Sequence, residues 1–316
     1  MKLPFFEVLA SSRSVLLAGM GGGFDIFSGL PLYFWLKEQQ KTVHLANLSF
    51  SNFYGLEEKQ LAPSLWKIDA DCEPWGSYFP EIHLCDWLKE ALDDSTPIYC
   101  IERTAAAPVR RAYEALLENL GGVDTILLVD GGTDSLMRGD EVGLGTPQED
   151  LASLAAVDSL ENVPTKLLAS IGFGIDTFHG VCHAHWLENV AALTKMGAFL
   201  GSWSMTPDMP EAVLYKSAVD YVHKCMEDHP SIVNSSILSA VWGEFGNHHT
   251  TDRTEGSELF INPLMTIYWA FEVGAVAKRH LFLDDVKNTE TFLELSTAIS
   301  RGWGRQARKD WQDIPH

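Results

Sequence analysis

The segment Ser14-Val15-Leu16-Leu17-Ala18-Gly19-Met20-Gly21-Gly22-Gly23-Phe24-Asp25 constrains this chain most, because an aliphatic run ends in four glycines and then a carboxylate. A short run that is apolar on both faces fits a strand inside a parallel sheet. The glycines fit a sharp turn into a helix, with bare backbone where a ligand can approach. Similar runs recur at Thr42 to Leu48, Pro97 to Ile101, Thr125 to Val129, Thr165 to Ile171 and Ala198 to Ser204. Helical periods at Leu30 to Gln40, Ala107 to Leu120 and Phe178 to Met196 separate several of them. This alternation predicts an α/β fold, a Rossmann-like three-layer αβα sandwich around a mostly parallel sheet, with the strand ends along one rim.

With 316 residues and 46% hydrophobic content the chain can bury a large core without disulfides. We expect one α/β domain over residues 1–316, with the main sheet in 1–206 and a mainly helical extension in 207–316. Residues 50–85, with Trp66, Trp75, Tyr78, Phe79 and three prolines, read as an irregular insertion packed by aromatic rings. In the extension, Glu211 to Glu227 and Ser231 to Trp242 read as helices, and Leu259 to Leu264 as a short strand or helix.

Forty-three acidic residues against 23 basic ones leave a formal charge of −20, a field that repels phosphate backbones and anionic membranes. Nucleic acid and membrane partners are therefore not expected; a small-molecule ligand is, and a homo-oligomer is compatible. Five scattered cysteines without a Cys-x-x-Cys pair suit reduced core thiols in a cytoplasmic protein. The stretch Met1 to Arg13 lacks the continuous apolar region of a signal peptide.

Three glycine-carboxylate turns could carry chemistry. In the first, Gly19, Gly21, Gly22 and Gly23 could hold an oxyanion or phosphate on their amides, with Asp25 beside them, or Asp25 could simply cap the following helix. A nicotinamide-dinucleotide fingerprint is disfavoured, since Phe24 stands where glycine is wanted and the second strand ends in Asn47 without a ribose-binding carboxylate. In the second, Asp130, Gly131, Gly132 and Asp134 follow a buried strand, so two carboxylates could bind a divalent cation or share a proton. Arg138 follows as a candidate ligand-binding cation, though with Asp140 and Glu141 it could form a surface ion-pair cluster. The third is Gly174 and Asp176, with His179 and His183 one helical turn apart. Asp176, His179 and His183, with Asp130 and Asp134, are candidate metal ligands, against the alternatives of a helix cap and ordinary polar histidines. Glu102-Arg103-Thr104 could add a cation and a hydroxyl to the rim. The polar stretch Asn247 to Gly256 could act as a lid, and Tyr268 to Phe271 reads as core or dimer contact.

Taken in order, the Gly19 to Asp25 turn, the Asp130 to Glu141 loop, Gly143 to Asp150, and Asn262 to Met265 with Tyr268-Trp269 resemble an uncharacterised, conserved domain-of-unknown-function family of archaeal and bacterial proteins. The resemblance implies one coherent fold with one shared rim and supplies no reaction. The residues themselves point to a hydrolase or group transferase acting on a small nucleotide-like or sugar-phosphate ligand. Asp25, Asp130 and Asp134 are its candidate catalytic groups, and Mg²⁺, Mn²⁺ or Zn²⁺ a possible cofactor. A non-catalytic nucleotide or polyol sensor using the same rim is the alternative.

Overall fold

The computed structural model describes residues 2–73 and 75–314; Met1, Pro315 and His316, and Pro74 of the aromatic-rich stretch, lie outside the described residues. Among the described residues eleven strands form: β1 (Ser14–Gly19), β2 (Thr42–Ser49), β3 (Gln60–Ala62), β4 (Leu65–Ile68), β5 (Ile98–Glu102), β6 (Thr125–Gly131), β7 (Thr165–Ile171), β8 (Phe199–Ser204), β9 (Gly246–Asn247), β10 (Phe260–Ile261) and β11 (Ile267–Glu272). The helices are α1 (Pro4–Ser11), α2 (Asp25–Ser28), α3 (Leu30–Glu38), α4 (Pro80–Leu92), α5 (Ala106–Leu120), α6 (Pro147–Asp158), α7 (His183–Lys195), α8 (Pro210–Cys225), α9 (Ile232–Val241), α10 (Val273–Arg279), α11 (Leu283–Val286) and α12 (Phe292–Gly304). Proline opens α1, α4, α6 and α8, where its missing N–H costs no helical hydrogen bond. Gly121, at φ +74°, ends α5 in the left-handed conformation.

Nine strands form one sheet in the order β3-β4-β5-β2-β1-β6-β7-β11-β8. The central five, β5-β2-β1-β6-β7, are parallel neighbours. Alternate residues of β1 serve opposite faces. Val15 and Leu17 join a core with α3, α4 and α8, whereas Leu16 and Ala18 join one with α5, α6, α7 and α12. Helices therefore cover both faces of a mostly parallel sheet, the Rossmann-like α/β sandwich that the alternating runs imply.

From β1 the chain winds outward through β2 to β5, then returns to β6 on the other side of β1. Beyond the carboxyl ends of β1 and β6 lies the crevice that such a reversal opens in an α/β sheet.

Three readings of the sequence are corrected. The stretch 50–85 is less irregular than expected: β3 and β4 pair antiparallel and extend the sheet edge through β4 and β5, and α4 starts at Pro80. The region after residue 206 is helical over α8 and α9, yet β11 enters the sheet between β7 and β8, antiparallel to both. Tyr268, Ala270 and Phe271 are buried there as core, and the Tyr268 hydroxyl donates to the Ser28 carbonyl at 2.6 Å. Finally, no continuous helix runs from Phe178 to Met196. A 3-10 turn covers Ile175–His179, Gly180 adopts φ +86°, and α7 begins at His183. A left-handed residue stops helical propagation, so His179 and His183 do not share a helix face. No helix among the described residues is long and apolar enough to cross a membrane.

Candidate metal centre and ligand cavity

Five aspartates come from five successive pieces of the carboxyl rim. Asp25 opens α2 behind β1, Asp130 lies near the end of β6, and Asp134 starts the 3-10 turn after it. Asp150 sits in the first turn of α6, and Asp176 in the 3-10 turn after β7. Asp130, Asp134, Asp150 and Asp176 are buried, and Asp25 is partly exposed. One carboxylate oxygen from each of Asp25, Asp130 and Asp150 falls within 4.8 Å of the other two, a spacing that can hold a metal ion.

Local donors fix four of the five. Asp25 Oδ2 accepts from the Gly21 amide at 2.5 Å. Asp130 Oδ2 accepts from the Ser135 hydroxyl at 2.5 Å, and Asp134 Oδ2 from the amide and hydroxyl of Thr146 at 2.7 and 3.0 Å. Asp176 Oδ2 accepts from the amide and hydroxyl of Thr133 at 2.7 and 3.2 Å. Asp150 differs: its Oδ1 is buried without any hydrogen-bond partner. That oxygen and Asp25 Oδ2 converge on the Cα of Gly21, where a Cβ would stand 2.8 and 2.7 Å from them.

The glycines thus make room for carboxylates. A Cβ on Gly131 would meet Asp25 Oδ1 at 3.0 Å, and one on Gly132 would meet Asp176 Oδ2 at 2.9 Å and Asp130 Oδ1 at 3.1 Å. The expectation that the Gly21 to Gly23 amides cradle an oxyanion is corrected in part. Gly21 gives its N–H to Asp25 and Gly23 gives its N–H to the Leu48 carbonyl at 3.2 Å, so both donors are spent inside the protein. Gly22 and Gly23, at φ +96° and +61°, turn the chain beneath the cavity. Gly19 packs against the buried side chain of Asn47, whose Nδ2 donates to the Gly23 carbonyl and to Glu81 Oε1, both at 2.8 Å.

Among the described residues no ion pair reaches any of the five aspartates. Burial, reinforced by the charge of Asp134 and Asp176, pushes the Asp25 carboxyl up to about 8. Asp130, Asp150 and Asp176 are pushed well above the usual carboxylate range by burial first and by neighbouring carboxylates second. Without a cation, a cluster this crowded must keep protons at neutral pH.

Above the cluster opens a cavity of about 680 Å³. Asp25, Asp176 and Thr146 line it beside Gly22 and Gly23, and Phe24, Phe50, Tyr78, Ile175 and Phe178 add apolar surface. Ser231 to Asn234, at the start of α9, and Arg253, Thr254 and Ser257 to Leu259 complete the lining with His179 and His229. The polar stretch expected as a lid therefore borders this cavity, and Arg253 is its guanidinium. One Arg253 N–H is held by the Pro230 carbonyl at 2.8 Å.

Other candidates lie apart from the triad. Arg138 does not line the cavity; it pairs with Asp140 at 2.9 Å in a half-buried contact, and the surface cluster with Glu141 does not form. Buried Glu141 accepts from the amides of Arg138, Gly139 and Asp140 and from Asn189, so it folds that turn. Arg103 pairs with Glu149 at 2.5 Å and stacks on Phe292. Gly174, at φ +94°, abuts the His183 ring, whose Nε2 lies 2.8 Å from the Thr177 hydroxyl while Phe173 packs beside it. His183 is thus committed to the loop, whereas His179 reaches the cavity wall.

Asp150 and Arg253 were not singled out from the sequence. A signal for Asp150 existed: Thr146-Pro147-Gln148-Glu149-Asp150 follows a glycine-rich loop with a threonine and a helix-opening proline, which sets two acidic residues in a first helical turn. Arg253 carried none, because only folding brings that loop over the rim.

Nothing among curated proteins and nothing among solved structures matches this chain. The family model described as Protein of unknown function (DUF1152) matches residues 48–303, from the end of β2 into α12. The chain belongs to that family, a domain of unknown function built here as an α/β sandwich.

Proposed function

We propose that this protein is a divalent-cation-dependent hydrolase or group transferase acting on a small phosphorylated ligand, nucleotide-like or sugar-phosphate. The observation that carries the reading is the buried, unpartnered Oδ1 of Asp150, set against Asp25 and Asp130 within metal-ligand spacing. A buried polar atom without a partner costs on the order of 1–3 kcal/mol, more when charged, and a cation removes that cost along with the mutual repulsion. Mg²⁺ or Mn²⁺ suits an all-oxygen donor set better than Zn²⁺.

Asp25, Asp130 and Asp150 hold the cation in this reading, which would offset their charge and polarise a phosphoryl oxygen. Asp176, which lines the cavity beside that triad, handles protons, and Asp134 adds negative charge next to it. In hydrolysis, the water oxygen forms the new bond to phosphorus as the bond to the leaving oxygen breaks. A carboxylate takes the water's proton, and the leaving oxygen gains one. Transfer differs only in that an acceptor hydroxyl replaces the water. Arg253, which lines the same cavity, supplies positive charge to an anionic ligand.

The test is thermal unfolding and metal analysis of the wild type and Asp150→Asn. Excess Mg²⁺ or Mn²⁺ should raise the wild-type Tm by several degrees, since a ligand at 100 times its Kd adds about 2.7 kcal/mol. Asp150→Asn should lose most of that response while melting higher than wild type in EDTA, having one carboxylate fewer. No cation response in the wild type, or an unaltered one in Asp150→Asn, overturns the reading.

A further inference from the structure

The cavity lining combines charged groups with apolar surface, and that combination separates the two ligand classes named above. Near the strand ends the lining is acidic, with Asp25 and Asp176, and Arg253 of the polar loop lines the same cavity. The same cavity is lined by Phe24, Ile175, Phe178, Ile232, Val233 and Leu259, side chains that offer no hydrogen bond. A sugar phosphate carries hydroxyls around its whole ring, and placing them against such a wall strips them of water without replacement. A flat heteroaromatic ring loses nothing there, because its faces need only apolar contact.

Size gives the same answer. About 680 Å³ lies in the middle of the range for drug-sized ligands, and a lone sugar phosphate would leave much of the wall wet. Phe178, 77% exposed, stands on a turn bounded by Gly174 and Gly180 at φ +94° and +86°, with its ring free to be covered. Tyr78 packs edge-on to Phe24 and His229, which holds its ring in place at the wall.

We infer that the ligand of this cavity is a nucleotide, with its phosphate between the aspartate cluster and Arg253 and its base against the apolar wall at Phe178. The inference rests on the cation-dependent reading of the cluster and narrows its ligand class.

Isothermal titration of the full chain in Mn²⁺ with AMP, GMP, CMP, UMP, ribose 5-phosphate and inorganic phosphate tests it, with Mn²⁺ itself titrated separately. At least one mononucleotide should bind about tenfold or more tightly than ribose 5-phosphate, the gain that stacking one base provides. Phe178→Ala should weaken that nucleotide about tenfold and leave ribose 5-phosphate within about twofold. Arg253→Ala should weaken every phosphate-bearing probe. Ribose 5-phosphate binding as tightly as each nucleotide, or no nucleotide binding while Mn²⁺ binds, overturns the nucleotide assignment and leaves the metal centre standing. Nucleotide binding without any Mn²⁺ binding does the reverse: it supports the assignment and sinks the metal centre.

Discussion

Asp25 shows how one side chain is read differently by its sequence and its surroundings. After four glycines and at the first position of α2, it resembles a helix-capping carboxylate, yet it caps no amide of that helix: its Oδ2 accepts from Gly21, in the turn before α2. Its other neighbours are acids, and burial with their charge raises it to about 8. A carboxyl whose folded pKa exceeds its unfolded value of about 3.9 favours the folded state most below that unfolded value. The advantage is lost as pH rises through the folded pKa. Metal-free protein should therefore lose stability between pH 5 and 8, by about 1 kcal/mol per pH unit from one such group, with Asp130, Asp150 and Asp176 acting in the same direction. If the cluster is the cation site proposed above, saturating Mn²⁺ should flatten or invert that slope, because cation binding favours deprotonated ligands. Urea unfolding at several pH values with EDTA and with Mn²⁺ measures both slopes; stability of the metal-free protein that is flat or rising across that range contradicts the account.

At the scale of elements, strand ends deliver Asp25, Asp130, Asp134 and Asp176, the first turn of α6 delivers Asp150, and glycines give the carboxylates room. Gly132 is the most direct probe, because its φ is not in the left-handed region and its missing Cβ is the space occupied by Asp130 and Asp176. Gly132→Ala should weaken Mn²⁺ binding about tenfold or more in calorimetry, since ligand placement is sensitive to shifts of a fraction of an ångström. Gly304→Ala, with open space at the end of α12, should leave that affinity unchanged. Equal affinities in both variants and wild type would remove the space-making role of Gly132. Elements also differ in legibility. β1, β2, β5, β6, β7 and β8 are visible as aliphatic runs because sheet interiors demand them. Helix α6 is not, because Glu149 to Val157 are all buried between neighbouring helices and leave no polar face to create a 3.6-residue period.

Across the whole molecule, the region after residue 206 braces the candidate site. Strand β11 completes the sheet, α8 covers the face formed by α3 and α4, and the 250s loop borders the cavity. The Tyr268 hydroxyl ties β11 to Ser28, directly behind Asp25. Tyr268→Phe should cost about 1–2 kcal/mol in urea unfolding, because a buried carbonyl loses its donor. Mn²⁺ affinity should fall along with stability if this bond also steadies α2; a stability loss with unchanged affinity would limit its role to the core. By itself the sequence determined an α/β sandwich, three glycine-carboxylate strand ends on one rim, and the positions of Asp25, Asp130, Asp134 and Asp176, since strand burial and turn chemistry are local in the chain. Tertiary structure alone decided that β6 returns beside β1, so that Asp25 lies near Asp130, that α6 adds Asp150, and that Arg253 lines the cavity. Those neighbours are set by strand order and long-range packing, which no local pattern of residues encodes.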